Sequence, residues 1–218
     1  MKFKVVTLFP DFIKSMKNYS IIGRALKNGK ISLETVDIHD FGIGRYQQVD
    51  DKPYGGGVGM LLKVDVMDRA IKAAAPRKSQ KRRIILLTPE GKRFDQSKAL
   101  ELAKLDEIVF VCGHYEGFDR RIDAFVDEKI SIGDFVLSGG EIAAMSIIDT
   151  VSRHQKDVLG KEESKEIESF STINGKTFLE HPQFTRPDSY KGMDVPKVLI
   201  SGHHKNIAKW QTDNMTEV

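Results

Sequence analysis

Three glycine turns hold the residues whose types and spacing can do chemistry. The first is Thr88-Pro89-Glu90-Gly91, after an apolar run at 84–87, and the second is Gly113-His114-Tyr115-Glu116-Gly117, after another at 108–112. The third is Ile132-Gly133-Asp134-Phe135-Val136-Leu137-Ser138-Gly139-Gly140-Glu141, where Gly139 and Gly140 permit backbone geometry that a Cβ would forbid and Glu141 begins an apolar helix. In open α/β sheets ligands bind beyond the carboxyl ends of strands, so three such turns point to one shared pocket whose exposed amides can approach a ligand. A single turn would carry little weight, since most glycine turns are only turns.

Other chemistries are excluded by residue type. Gly55, Gly56, Gly57 and Gly59 make a glycine loop, yet no Gly-Lys-Ser/Thr comes after it, so it is not a nucleotide-triphosphate loop. The single cysteine, Cys112, rules out an internal disulfide and reads as a small buried hydrophobe beside Val109, Phe110 and Val111. His203 and His204 are adjacent, do not share a helix face, and have no third ligand at suitable spacing, so no metal site is expected.

The positioning elements read as alternating strands and helices. A strand over 2–9 ends at Pro10, Asp11 caps a helix that runs to Leu26 and closes at Asn28-Gly29, and 32–38 forms a second strand. Asp65 is expected to cap a helix stopped by Pro76, and the strands 84–87 and 108–112 flank a helix over 95–104. Residues 130–137 fit a buried strand or a close-fitting loop. The pattern is that of an α/β domain with buried parallel strands. The helix over 141–153 is apolar nearly all round, so it is buried or faces a second subunit, and Arg153 closes it where the helix dipole favours a cation. The polar loop over 39–60 is either a flexible connection or, stiffened by Pro53 and Tyr54 and opened by its glycines, a place for a large planar or phosphate-bearing partner. Five bases in the seven positions 77–83 suit a solvated lead-in to the next strand or a phosphate contact. The charged run 161–168 reads as an interdomain linker.

Bulk composition is that of an ordinary soluble protein, with 40% apolar and 30% charged residues. There is no apolar run of about 18 residues and no export signal after Met1, so no membrane is expected and the cytoplasm is the expected compartment. A net charge of +3 is too mild to mark a nucleic-acid binder by itself.

Taken together, the motifs resemble the bacterial tRNA (guanine-37-N1)-methyltransferase family, TrmD, of the SPOUT superfamily, from residue 1 to about residue 209. The resemblance rests on Leu8-Phe9-Pro10, Val49-Asp50-Asp51, Pro53-Tyr54-Gly55-Gly56-Gly57, Gly113 with Tyr115-Glu116-Gly117, Ile132-Gly133-Asp134, Gly139-Gly140-Glu141, Thr185-Arg186-Pro187 and Ser201-Gly202-His203-His204. It implies an α/β fold: a SPOUT-type parallel sheet flanked by helices, a C-terminal trefoil knot, and a short, truncated helical C-terminal domain. The implied division is a cofactor-binding domain with the knot over 1–160, a flexible linker over 161–176 and a shortened tRNA-binding domain over 177–218. S-adenosylmethionine would lie against Leu86, Leu87, Thr88, Pro89, Gly113, Glu116, Gly117, Ile132, Gly133, Phe135, Leu137, Gly139 and Gly140. Transfer RNA would meet Arg24, Asp50, Gly55, Gly56, Gly59, Glu180 and Arg186. The family is a homodimer with the active site at the subunit interface, and it also uses magnesium.

Guanine N1 carries a proton at neutral pH, so methylation there needs a base at N1 and a positive group for the charge developing on O6. In the family an aspartate heading Asp-Ser-Phe is the base and an arginine ending the helix after Gly-Gly-Glu assists; the matching positions are Glu168 and Arg153. The chain departs from the family pattern at Glu168, at His114 where arginine is common, near Asn174-Gly175-Lys176, and in length beyond Trp210. The rival reading is a SPOUT module that binds cofactor or RNA and dimerises with weak or no catalysis, as part of a larger fusion.

Overall fold

The computed structural model describes residues 1–159, 168–173 and 175–218. It divides into two compact units, Met1–Gly160 and Lys161–Val218. Most of the charged run read as a linker, 161–167, lies outside the described residues, as does Asn174.

The first unit begins with strand β1 (Lys2–Thr7), followed by helices α1 (Pro10–Lys14) and α2 (Ser20–Lys27). The expected single helix from Asp11 is therefore broken. Pro10 occupies the first helical turn, where its missing N–H costs nothing, and a 3-10 turn at Ser15–Asn18 leads into extended Tyr19 (φ −132°) and left-handed Ser20 (φ 57°). The bend aims Ile13 of one helix and Ile22 and Ala25 of the other into one core.

Strand β2 (Ser32–Asp37) runs parallel to β1. Strands β3 (Asp50–Asp51) and β4 (Leu61–Leu62) pair antiparallel and turn the glycine loop between them into a hairpin tip. Helix α3 (Val64–Ala74) has Lys63 at its cap, not Asp65. Asp65 sits in the first turn and accepts the Val66 amide at 3.0 Å, which still places a carboxylate at the positive end of the helix.

Strand β5 (Arg82–Arg93), helix α4 (Gln96–Leu102) capped by Asp95, strand β6 (Glu107–Cys112), strand β7 (Glu128–Ser131) and helix α5 (Glu141–Arg153) complete the unit. The strand order is β2-β1-β6-β5-β7, parallel throughout. Helices cover both faces, which is why β6 is apolar at every position past Glu107 rather than alternating. Ile108, Phe110 and Cys112 face the layer of α1, α2, α4 and α5, while Val109 and Val111 face α3. Lys4 on β1 donates to the Ala74 carbonyl at 2.6 Å, placing a cation at the negative end of α3.

In the second unit, β8 (Ser171–Ile173) and β9 (Lys176–Leu179) form a hairpin; β10 (Ser189–Tyr190) and β11 (Met193–Asp194) form another. One helix comes after them, α6 (His204–Asp213), and β12 (Thr216–Glu217) returns to pair with β9. The region expected to be helical thus has one helix among short strands. Its Trp210 ring packs edge-on against His181 and Phe184, at 6.1 and 6.2 Å between centroids.

The Thr88-Pro89-Glu90-Gly91 segment is not a turn after β5 but an excursion within it: Ile130 of β7 lies opposite both Leu87 and Lys92. A Cβ at Gly91 would overlap the Ile130 backbone, which has no flexible end to yield. Gly91→Ala should lower stability by about 1–3 kcal/mol, read as a lower urea midpoint. Gly29→Ala, with open space but φ +67°, should cost about 1–2 kcal/mol through backbone strain alone.

Candidate functional site

The strand order places the carboxyl ends of β6, β5 and β7 side by side, so the segments that leave or interrupt them converge. They enclose a cavity of about 490 Å³. Its lining includes Leu86, Leu87, Thr88 and Pro89 from β5, Gly113, Glu116 and Gly117 after β6, and Ile132, Gly133, Phe135, Leu137, Gly139 and Gly140 after β7. The structure therefore brings together on one cavity every residue that the family resemblance assigned to cofactor contact.

Each segment is held by its own bonds. In the β5 excursion Pro89 has no N–H to leave unpaired, which suits a position outside the ladder. After β6, Gly117 donates its amide to the His114 carbonyl at 3.0 Å, closing a turn with Tyr115 (φ 58°) and Gly117 (φ 107°) in the left-handed region. After β7, Ser131 Oγ donates to the Gly133 carbonyl at 3.0 Å.

Gly140 ties the second segment to the third. Its amide donates to the Gly113 carbonyl at 2.9 Å, and a Cβ there would stand 2.8 Å from Cys112 Cα. Behind this contact lies a buried polar pair: Thr7 Oγ1 donates to Glu141 Oε1 at 2.6 Å and accepts the Phe9 amide at 2.9 Å. Glu141, at the positive end of α5, thereby has a hydrogen-bonded carboxylate in an otherwise apolar core. Burial, with the Glu141 charge added, pushes the Cys112 thiol well above its ordinary value, so this cysteine is inert.

His114 lies edge-on to Phe9 at 5.1 Å and to Tyr115 at 5.0 Å, and its buried Nδ1 has no partner within the protein. Burial and the nearby Asp50 charge raise the Tyr115 phenol above its ordinary value.

One part of the lining escaped the sequence reading. Glu90, Arg120, Asp123 and Lys129 form a ring of ion pairs on the cavity wall: Arg120 binds Glu90, Arg120 Nε meets Asp123 at 2.8 Å, and Lys129 Nζ meets Asp123 at 2.8 Å and Glu90 at 3.4 Å. Only the Arg120 and Asp123 spacing, i and i+3, left a local trace in the sequence. The Thr7–Glu141 bond, spanning 134 positions, left none.

The remaining assigned residues lie on several elements of the two units. Arg153 ends α5 in the first unit, whereas Glu168 precedes β8 in the second, where its carbonyl accepts the Ser171 amide at 3.0 Å. Arg24 is exposed on α2, Asp50 lies on β3, and Gly55, Gly56 and Gly59 take φ of 86°, 81° and 90° on the hairpin tip. Glu180, bonded to Gln183, and exposed Arg186 belong to the second unit. Among the described residues no group of three or more His, Cys, Asp or Glu side chains could hold a metal ion, and no helix is long and apolar enough to cross a membrane.

Comparison with known proteins shows what the chain is similar to. The profile of the family described as tRNA (Guanine-1)-methyltransferase TrmD matches residues 1–217. A tRNA (guanine-N(1)-)-methyltransferase of Clostridium botulinum (strain Hall) is 49% identical over 211 residues, covering 97% of this chain and 85% of the relative. Enzymes of the same name from Clostridium perfringens (strain SM101) and Latilactobacillus sakei are 49% and 46% identical, each over 97% of this chain and over 86% and 84% of the relative.

The ion-pair ring makes a pH prediction. The hydrogen bond from Arg120 holds the Glu90 carboxyl below its ordinary 4.5, and that from Lys129 holds Asp123 below 3.8. Both folded values are depressed, so the stabilisation is present above the ordinary values and is lost as pH falls through the folded ones. Arg120→Ala should unfold at lower urea than the parent at pH ~7 and show a smaller further loss between pH ~5 and ~3.

Proposed function

The chain belongs to the tRNA (guanine-1)-methyltransferase TrmD family, and from that membership we infer its activity: it transfers a methyl group from S-adenosylmethionine to N1 of guanosine 37 in tRNA, beside the anticodon. The observation that carries the reading at the level of the site is the convergence of the three glycine-bearing segments on one cavity. Its volume is in the range of small-molecule sites, and its lining combines apolar side chains with glycine-bearing backbone that a ligand can approach closely. S-adenosylmethionine suits such a lining. The trefoil knot of the SPOUT fold belongs to the same reading, supported by the family membership.

Bound S-adenosylmethionine supplies an electrophilic methyl on a sulfonium. The chain's own residues do the rest. Leu86, Leu87, Ile132 and Leu137 exclude water, and the glycine segments fix the cofactor through backbone contacts at positions where a side chain would not fit. Glu168 takes the N1 proton, and the Arg153 guanidinium meets the charge that grows on O6. Neither role needs a covalent intermediate. The described residues offer no cluster for magnesium, and no step here is routed through it.

The active site is completed by a second copy of the chain. The support is an exposed apolar set on and beside α1 and α5: Phe9, Phe12, Phe135, Val136 and Ile142 are each more than two-fifths exposed. The C-terminal unit, with Glu180 and Arg186, binds the anticodon arm, and the work is done in the cytoplasm, where tRNA is found.

Transfer of labelled methyl to unmodified tRNA with guanines at 36 and 37 tests the chemistry. Glu168→Gln should lower kcat about 10²–10⁴-fold and Arg153→Ala about 10²–10³-fold, with cofactor affinity unchanged. Glu168→Asp should remain active within about a hundredfold, the effect of moving the carboxylate by about 1 Å. A parent chain that binds S-adenosylmethionine but transfers nothing would favour the non-catalytic module. Sedimentation tests the assembly: Ile142→Arg should be monomeric and inactive where the parent is dimeric, because an arginine in an apolar subunit interface buries an unpaired charge.

A further inference from the structure

We propose that Tyr46 and Tyr54 are base-stacking residues, two exposed rings on consecutive hairpin tips, the second of them fastened to the wall of the cavity, that receive the unpaired nucleotides flanking the target guanosine. The inference rests on the tRNA-methylating reading above and extends it to residues with no part in the chemistry.

Tyr46 is 88% and Tyr54 101% exposed, so neither ring contributes to the core. A single exposed tyrosine needs no explanation, but these two sit on tips that the backbone holds rigidly. Around Tyr46, Ile43 and Gln48 exchange both amide bonds at 3.0 Å, and Gln47 donates to the Gly44 carbonyl at 3.2 Å. Gly42 packs so closely on the Gln47 backbone that no side chain would fit. Around Tyr54, the β3 and β4 pairing closes the base of the hairpin, Pro53 fixes the approach, and Gly56 donates to the Pro53 carbonyl at 3.3 Å. The two hairpins are consecutive in the chain, joined through buried Val49, whose carbonyl accepts the Lys63 amide at 2.9 Å.

The second hairpin is fastened to the cavity itself. Glu116 donates its amide to the Met60 carbonyl at 3.1 Å, Leu62 donates to Gly117 at 2.9 Å, and Asp119 donates to Leu62 at 3.1 Å. Glu116 and Gly117 line the cavity, and a side chain at Gly59 would collide with Glu116. The ring of Tyr54 is therefore carried at a fixed distance from where the methyl donor binds. Charge suits the same partner: Arg45 and Lys52 lie next to or near the rings in sequence.

The reaction creates the need. A guanine inside the anticodon loop must leave its stack to present N1, which strips its neighbours of a stacking face. Every base has a π-face, so an aromatic ring recovers that loss without reading sequence. Rigid rings do so at low entropic cost.

The test measures KM for unmodified tRNA and cofactor affinity in the full chain. Tyr54→Ala and Tyr46→Ala should each raise KM about tenfold, the change that about 1.4 kcal/mol of stacking produces, with S-adenosylmethionine affinity unchanged. Tyr54→Phe and Tyr46→Phe should stay within about twofold of the parent. The salt dependence should also separate stacking from charge: the slope of log K for tRNA should stay as in the parent for both tyrosine variants and fall by about 1 for Lys52→Ala. Alanine variants with parental KM, or with cofactor affinity lost in parallel, would overturn the inference while methyl transfer by the parent still stands; a parent that methylates no tRNA would overturn the reading beneath it.

Discussion

The close approach of Gly140 to Cys112 is the constraint on which the site depends. With the Gly140 amide on the Gly113 carbonyl, the chain leaving β7 is drawn against the end of β6, and the walls of the cavity come within reach of one ligand. A methyl group at this point would have to push backbone against backbone, because Cys112 belongs to a strand paired on both sides. The glycine at 140 is thus fixed by packing rather than by torsion, since its φ of −76° is open to any residue.

Glu141 extends the same constraint into the core. A carboxylate next to two glycines, buried behind the cavity, would be costly without a donor, and Thr7 supplies one from the end of β1. Phe9 then donates to that hydroxyl, so the chain entering α1 is oriented by the group that opens α5. The N-terminal helix and the third segment of the site are coupled through a single threonine side chain.

Much of the fold was legible because parallel strands buried on both faces read as unbroken apolar runs; 84–87 and 108–112 appear as such, each with glycines a few residues beyond its end. The glycine-bearing segments that line the cavity were legible for the same reason. Boundaries were less so. The helix expected from Asp11 to Leu26 has the right period, yet Tyr19 and Ser20 bend the chain, and no glycine or proline there announces it. The excursion at 88–91 was read as a turn because Pro89 and Gly91 suit either geometry, and only the register against β7 distinguishes them. The ion-pair ring at Glu90, Arg120, Asp123 and Lys129 joins three elements, which charge pattern along one segment cannot reveal. The roles proposed for Glu168 and Arg153 rest on family resemblance, not on spacing.

Strand β6 gives the molecule two clocks. It lies between β1 and β5, and its residues from Ile108 to Cys112 are buried almost completely, so its amides can meet solvent only when the whole unit opens. The segments that leave β6 and β7 to line the cavity carry exposed residues such as Tyr115 and Val136 and can open in local fluctuations cheaper than global unfolding. Hydrogen exchange would divide the site along that line, its floor keeping time with the life of the fold and its rim with the coming and going of ligands.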